Sequence, residues 1–293
     1  MFTSLLASLA LAAQPQVAAP PPSDQEAIVI EAQRLEKQRQ QISRMVDALT
    51  DSTFEGQVPQ FHEALCPLVV GLDPEPAGDV EARLRTVADA IGLGAADASC
   101  TANLLVVVTD DREAVLDYWK RKKPDIFWNL DRKEKEALFE DDAPVLSWQL
   151  IMMLDNNMMP VQQDVQSGVY TVASTDVTRM RTSMLPSARG AVVVVDKTKL
   201  AGLDVRQLAD HVAMRALAPL DPDAVDELAS PTILKLMNAG LDDTVPLTMT
   251  DWDFAFLKAL YGTDNARKAR SMRRRLASAM DKSLEAAADM ERD

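Results

Sequence analysis

Two short runs of apolar residues rich in Val place the strongest constraint on how this chain folds. Residues 104–109 read LLVVVT and residues 191–196 read AVVVVD. A continuous apolar run of this length, with several β-branched residues, is typical of a strand buried inside a sheet. We therefore predict a buried strand at the first run and a further strand at the second.

The remaining patterns predict helices around a small sheet. Residues 145–154 and 169–174 add two strand-like segments, which brings the predicted strands to four; a helix is the alternative for residues 145–154, because Met and Leu suit both. Helical spacing of apolar residues predicts helices over residues 32–49, 79–92, 111–123, 132–139, 204–217, 230–238, 251–261 and 264–288. Strands separated by helices without strict alternation predict a single α+β globular domain over residues 32–293. We expect a short mixed sheet packed by several helices, with a long C-terminal helix.

The amino end carries no charged side chain before residue 24. Residues 5–13 form a short apolar run followed by small residues, which is typical of a cleaved export signal and too short to cross a bilayer. We predict a signal peptide over residues 1–19, cut after Ala12, Ala13 or Ala19, and a Pro/Ala-rich linker over residues 20–31. The usual basic start of such signals is missing, so a disordered tail on a cytoplasmic protein is the alternative.

The overall charge limits the partners. The chain has 31 Lys and Arg against 45 Asp and Glu, a formal net charge of −14. Nucleic acid is excluded as the main partner, because phosphate binding requires positive surface. No apolar run approaches the roughly 20 residues that span a membrane. We expect a periplasmic or secreted protein whose partner is an unidentified protein or envelope component.

The chain contains two cysteines, Cys66 and Cys100, and neither belongs to a CxxC pair. Both lie at the boundaries of predicted elements. A bond between them would close a loop and stabilise the folded state by roughly 3–4 kcal/mol, because it reduces the conformational entropy of the unfolded chain. Together with the export signal, this predicts a disulfide; two buried free thiols are the alternative.

Common catalytic patterns are missing from the sequence. It contains no GxGxxG, no GxxxxGK[ST] and no GxSxG, and its histidines are His62 and His211. His62 and Glu63 resemble the opening of a metal-binding HExxH, but the second His position is Cys66. A cysteine in a disulfide cannot bind zinc as a thiolate. We therefore interpret His62 as a surface or capping residue.

Four segments follow one another in a recognisable order between residues 191 and 261: AVVVVD, QLADHVAMRAL, SPTILKL and LTMTDWDFAFLKALYG. They resemble the carboxyl half of an uncharacterised family of secreted bacterial proteins related to zincin-like peptidases, in whose relatives the helix carries HExxH or HExxQ. In the amino half, FHEALCPLVVGL, RLRTVADAIG and CTANLLVVVTDD resemble the same kind of exported protein. The resemblance covers about residues 55–280.

The resemblance implies a scaffold without the catalytic pair. Placing His211 on the first metal ligand puts Val212 at the general base and Arg215 at the second ligand. A Val side chain accepts no proton, and an Arg repels a divalent cation. We interpret His211 as a helix-surface residue that pairs with a carboxylate, and we assign no catalytic, cofactor-binding or metal-binding residue.

The functional prediction is therefore a non-catalytic binding or interaction module on a zincin-like scaffold. The alternative is a zinc-dependent envelope hydrolase that uses His211 with carboxylates the sequence does not identify.

Clusters of charged residues are further candidates for a functional site. The adjacent acids at 110–111 are interpreted as a helix cap, with a site at the carboxyl end of the preceding strand as the alternative. The adjacent acids at 141–142 and 242–243 do not by their spacing indicate two carboxyl groups that converge in a cleft. The basic runs at 267–275 and 120–123 are interpreted as solvated helix faces, with an anionic surface as the alternative partner of the first.

Overall fold

The computed structural model describes residues 24–50, 57–97, 99–155, 157–163, 170–171, 183–219, 222–240, 244–263 and 269–290. The predicted signal peptide and the first residues of the predicted linker lie outside the described residues. Two compact units divide the chain, Met1–Gln38 and Arg39–Asp293. The sheet and its covering helices belong to the second unit.

The described residues contain the following elements. The strands are β1 (Gln60–Phe61), β2 (Pro67–Val70), β3 (Leu104–Thr109), β4 (Val145–Asp155), β5 (Gln162–Gln163), β6 (Tyr170–Thr171) and β7 (Met184–Asp196). The α-helices are α1 (Asp24–Ala48), α2 (Pro74–Ala90), α3 (Arg112–Lys122), α4 (Arg132–Glu140), α5 (Val205–Leu217), α6 (Pro222–Asp226), α7 (Asp251–Tyr261) and α8 (Ala269–Met290). Short 3-10 helices cover Pro124–Phe127, Lys197–Leu200 and Ile233–Asn238. None of the helices in these ranges has an apolar stretch of membrane-spanning length.

β7 is the central strand of a five-stranded sheet. One of its edges pairs antiparallel with β4 along most of its length. The other edge pairs parallel with β1 near Ser187 and then with β3 from Ala191 to Asp196, and β2 pairs parallel with β3 on the outside. β5 and β6 form a separate two-stranded sheet. The fold is thus the predicted mixed domain of a short sheet with helices, and its main sheet is mostly parallel.

Both faces of the sheet are covered by helices. On one face, Val106 and Val108 of β3 belong to the larger core, which includes α2, α5, α7 and α8. On the other face, Val107 packs in a smaller core with Trp119 of α3 and Trp148 of β4. Alternate side chains of a strand point to opposite faces, so a strand buried on both faces needs a continuous apolar sequence. The predicted buried strand at residues 104–109 is confirmed.

The two ends of the described chain are helical. α8 buries Met272, Leu276 and Met280 in the larger core, which confirms the predicted long C-terminal helix and its apolar stripe. α1 begins at Asp24, so the predicted linker over residues 20–31 is wrong from residue 24 onward. The last proline of this region is Pro22, and the residues that follow it include several good helix formers.

The sequence patterns missed the shortest strands. β1 and β2 have only two and four residues, too few for a period to be recognised. Of the strand predicted at residues 169–174, the described part is β6, and it pairs with β5 outside the main sheet. The helix predicted at 230–238 is a 3-10 helix that begins at Ile233.

The predicted disulfide between Cys66 and Cys100 is present, with their Cα atoms 6.1 Å apart. It joins the residue before β2 to the loop before β3. Asn103 strengthens the same junction, because its Oδ1 accepts the Cys66 N–H at 2.7 Å and its own N–H donates to the Cys66 carbonyl at 3.0 Å. Gly71 follows the last residue of β2, and its φ of +91° lies in the left-handed region that favours glycine. A Cβ atom at this position would lie 1.8 Å from the Val108 carbonyl oxygen.

Candidate functional site

The helix α5, which carries the sequence resembling a metallopeptidase helix, runs through the interior of the larger core. Every residue from Gln207 to Leu217 is buried. Its start is fixed by a capping box, in which Asp204 Oδ1 accepts the Gln207 N–H at 2.8 Å. Since polar groups in a protein interior need hydrogen-bond partners, the polar side chains of α5 must find theirs inside the core.

His211 lies fully inside this core, with no exposed surface. Its Nδ1 lies 3.0 Å from the Ile233 carbonyl oxygen, so Nδ1 carries the proton and donates to that carbonyl. Arg215 Nε donates to the other ring nitrogen, Nε2, at 3.5 Å. Burial lowers the pKa of His211 to about 3, and the positive charge of Arg215 acts in the same direction. The imidazole is therefore neutral.

The prediction that His211 is a surface residue paired with a carboxylate is wrong. Its partners are a backbone carbonyl and a guanidinium. The i, i+4 spacing in the helix places Arg215 on the same face as His211, but it does not identify the Ile233 carbonyl. Val212, at the position of the general base, is also fully buried in the core. Arg215, at the position of the second metal ligand, is only 8% exposed. Burial lowers the pKa of Arg215, while the carboxylates of Asp141 and Asp226 act to raise it.

Asp210 forms a second buried network beside His211. Arg83 of α2 binds both carboxylate oxygens, with Nε 2.7 Å from Oδ1 and a terminal nitrogen 3.1 Å from Oδ2. Oδ2 also accepts the Thr248 hydroxyl at 2.6 Å and the Met249 N–H at 2.7 Å. The carboxylate therefore ties α5 to α2 and to the segment that precedes α7. We did not expect Arg83 here, because a cation on an amphipathic helix ordinarily faces solvent.

Asp253 is a third buried polar group, at the start of α7. It accepts four hydrogen bonds: Thr232 Oγ1 at 2.6 Å, Ile233 N at 2.8 Å, Thr250 N at 3.1 Å and Thr250 Oγ1 at 2.8 Å. Thr250 and Asp253 also form a reciprocal capping box at the start of α7. Burial raises the pKa of Asp253, and these hydrogen bonds act to lower it. The Ile233 peptide links this group to His211, because its carbonyl accepts from the imidazole.

These groups form a structural framework in which each carboxylate and the imidazole already have protein partners. Within the part of the chain that the structure describes, no group of three or more His, Cys, Asp and Glu side chains converges as a metal site would require. The arrangement joins α2, α5, the 3-10 helix at Ile233 and α7. Its chemistry is hydrogen bonding and charge pairing inside the core.

The other predicted candidates lie apart from α5. His62 and Glu63 are exposed, and His62 Nδ1 lies 3.0 Å from Ser187 Oγ, which confirms a surface histidine. Asp111 caps α3 through Oδ1, which accepts the Ala114 N–H at 2.9 Å, as predicted. Asp141 Oδ1 accepts the Ala143 N–H at 2.8 Å. The acids at 242–243 lie outside the described residues.

The basic run at 267–275 is only partly described, because residues 267–268 lie outside the described residues. Arg273 is engaged with the end of α1: it donates to the Thr50 carbonyl at 2.8 Å and to the Thr50 hydroxyl at 3.0 Å, and it lies 3.8 Å from Asp47. Arg274 and Arg275 are exposed, as expected for a solvated helix face. Arg273 is thus a structural residue within a run interpreted as surface charge.

Two cavities lie near charged side chains. One, of about 500 Å³, is lined by Asp226, Thr232 and Lys235 among others. Its polar groups bond to each other and to the backbone, since Lys235 donates to the Leu228 carbonyl and Asn238 donates to Asp226 at 3.3 Å. The other, of about 610 Å³, lies between α3 and α4.

The fold and these contacts define a disulfide-bonded, mixed α/β domain with a buried polar framework. A scan against family models finds no match, and searches of curated proteins and of solved structures find none either.

Proposed function

We propose that this chain is an exported, non-catalytic binding domain on a zincin-like scaffold. The observation that carries the proposal is the engagement of the α5 side chains inside the core. Zinc hydrolysis requires a histidine nitrogen free for the metal and a base that reaches the attacking water. His211 donates through Nδ1 to a carbonyl and receives the Arg215 guanidinium at Nε2. Its neighbour Val212 supplies no base.

Export is supported by the Cys66–Cys100 disulfide, because such bonds persist in oxidising compartments and are rare in the cytosol. The uncharged segment before residue 24 supports it as well, because its short apolar run is typical of a signal peptide. A domain that leaves the cytoplasm without a catalytic site acts by binding, and its partner is a protein or another envelope component.

Metal content and hydrolysis test the non-catalytic role. The full chain is purified from the periplasm and compared with His211→Asn and His62→Asn, the second being a matched control at the exposed histidine. We expect no stoichiometric zinc in any of the three and no metal-dependent hydrolysis of peptides or esters. Stoichiometric zinc that is lost in His211→Asn and retained in His62→Asn would establish the alternative, a zinc-dependent envelope hydrolase.

Cell fractionation tests export. We expect the mature protein in the periplasmic or secreted fraction, with a new amino terminus after Ala12, Ala13 or Ala19 and without reactive thiols. Recovery from the cytoplasm with residues 1–19 retained, and with Cys66 and Cys100 both labelled by a thiol reagent, would contradict it.

A further inference from the structure

The cavity between α3 and α4 has the features of a docking site. We call it the α3–α4 groove; the side chains that matter here are Lys120, Pro124, Phe127, Lys135 and Phe139. Its volume of about 610 Å³ lies within the range of sites that hold a ligand or a few side chains of a partner. It lies on the sheet face opposite α5, so it shares no residue with the buried framework.

The floor of the groove is aromatic and held in place by the smaller core. Phe127 is 3% exposed, and its ring lies 5.4 Å from that of Trp148 and 5.6 Å from that of Phe139. Trp148 is itself fixed, because its indole N–H donates to the Ile126 carbonyl at 2.8 Å. Rings packed in this way lose little conformational freedom when a partner binds, which favours recognition of an apolar side chain.

The groove is lined by more cationic than acidic side chains: Lys120, Arg132 and Lys135 against Glu136 and Glu140. Lys135 is half-buried and, within the described residues, forms no ion pair within 4.0 Å. Lys120 lies with its ammonium 4.7 Å from the centre of the Phe139 ring, a cation–π contact that leaves its charge uncompensated. Lys120 is exposed and Lys135 is half-buried, and both line the groove, so a partner carboxylate that reaches either ammonium would form a charge-assisted hydrogen bond with it.

Glu136 and Glu140 line the groove, and Glu136 is paired at 3.0 Å with a cation that lines it as well, Arg132. Asp131 and Glu134 form the capping box of α4, in which each accepts a backbone N–H of the other. Residues 120–140 hold seven Lys and Arg against five Asp and Glu, in a chain whose net charge is −14. The side chains that line the groove, three cationic and two acidic, therefore carry a net charge of +1 in this acidic protein, which favours an acidic partner.

We infer that the α3–α4 groove docks an acidic segment of a partner protein. One apolar side chain of that segment packs on Phe127 and Phe139, and a neighbouring carboxylate pairs with Lys135. This role rests on the proposed function as a binding domain and names the kind of partner. A continuous polyanion such as a lipid surface suits the groove less well, because Glu136 and Glu140 also line it and the floor is concave.

Selection of displayed random peptides on the immobilised full chain tests this inference. We expect the selected peptides to combine Asp or Glu with one aromatic or aliphatic residue. The strongest one, labelled with a fluorophore, is then titrated against the wild type, Lys135→Glu, Lys135→Gln and Lys133→Glu. Lys133 is the matched control, because it is exposed on the same helix and does not line the groove.

The expected result is binding that is about tenfold or more weaker in Lys135→Glu, intermediate in Lys135→Gln and within about twofold of the wild type in Lys133→Glu. Unfolding curves of the variants verify that they fold. The inference is overturned by selected peptides without acidic residues, by equal effects at Lys135 and Lys133, or by an absence of selected peptides. Vesicles containing anionic phosphatidylglycerol provide the last comparison. The inference is also overturned if Lys135→Glu weakens vesicle binding but does not weaken peptide binding.

The two proposals fail separately. Zinc that depends on His211 overturns the non-catalytic role whatever the peptides do. Loss of peptide recognition at the groove leaves the metal measurements unchanged and overturns only the docking inference.

Discussion

His211 makes the stability of this protein depend on pH in a direction that can be calculated. The imidazole is fully buried and neutral in the folded state, where its pKa is lowered to about 3, chiefly by burial. In the unfolded chain its pKa returns to about 6.5. A histidine whose folded pKa is depressed contributes its full stability above the unfolded pKa. That stability is lost as the pH falls from about 6.5 toward about 3, because protons bind the unfolded chain first.

The size of the effect follows from the two pKa values. Between pH 7 and pH 5, protonation of His211 in the unfolded chain lowers the free energy of unfolding by about 2 kcal/mol. Carboxylates add their own pH dependence in this range, so the His211 contribution must be isolated by difference. His211→Asn removes the titrating ring and keeps a side-chain N–H that can donate to the Ile233 carbonyl. His62→Asn is the control, because the same substitution is made at the exposed histidine.

The assay is urea unfolding of all three proteins at pH 7 and pH 5 with the disulfide intact. We expect wild type and His62→Asn to lose about 2 kcal/mol more than His211→Asn between these two values. Equal losses in wild type and His211→Asn would refute the reasoning, because they would mean that the buried imidazole accepts a proton without cost.

Three further predictions concern the fold. Replacing Cys66 and Cys100 together by Ser should lower the free energy of unfolding by roughly 4 kcal/mol in urea, and a loss below about 1 kcal/mol would contradict a stabilising crosslink. Arg83→Gln should lower the free energy of unfolding by about 3 kcal/mol, more than Asp210→Asn does, because it leaves a buried carboxylate without its cation. A larger loss of thermal stability in Asp210→Asn than in Arg83→Gln would contradict this. Gly71→Ala should cost about 3 kcal/mol or more, because its methyl group would lie 1.8 Å from a carbonyl oxygen of β3, and an unchanged melting temperature would contradict it.

Local patterns predicted the elements that bury a continuous or periodic apolar sequence. β3 has the boundaries that LLVVVT indicates, since a strand covered on both faces must be apolar at every position. The first half of β7 was missed, because Pro186, Ser187 and Arg189 interrupt the pattern there. That half is held by pairing with β4 and β1, which come from distant parts of the chain. Pairing of this kind leaves no local signal.

The buried polar framework could not be predicted from the sequence for the same reason. Two of the partners lie far away along the chain: Arg83 is 127 residues from Asp210, and Ile233 is 22 residues from His211. A sequence window around α5 shows a polar residue on a helix but not what faces it. The capping boxes at the starts of α5 and α7 do leave a local signal, because their partners are three residues apart.

The packing of α5 supports the proposed non-catalytic role of this helix. Restoring a general base at Val212 would place a carboxylate where the side chain has no exposed surface, at a large desolvation cost. Restoring a ligand at Arg215 would remove the guanidinium that faces His211 Nε2. Both changes require the helix to be unpacked from the neighbours that now bury it. The α5 side chains at these positions hold the fold together, which supports our proposal that a partner binds at the surface, in the α3–α4 groove.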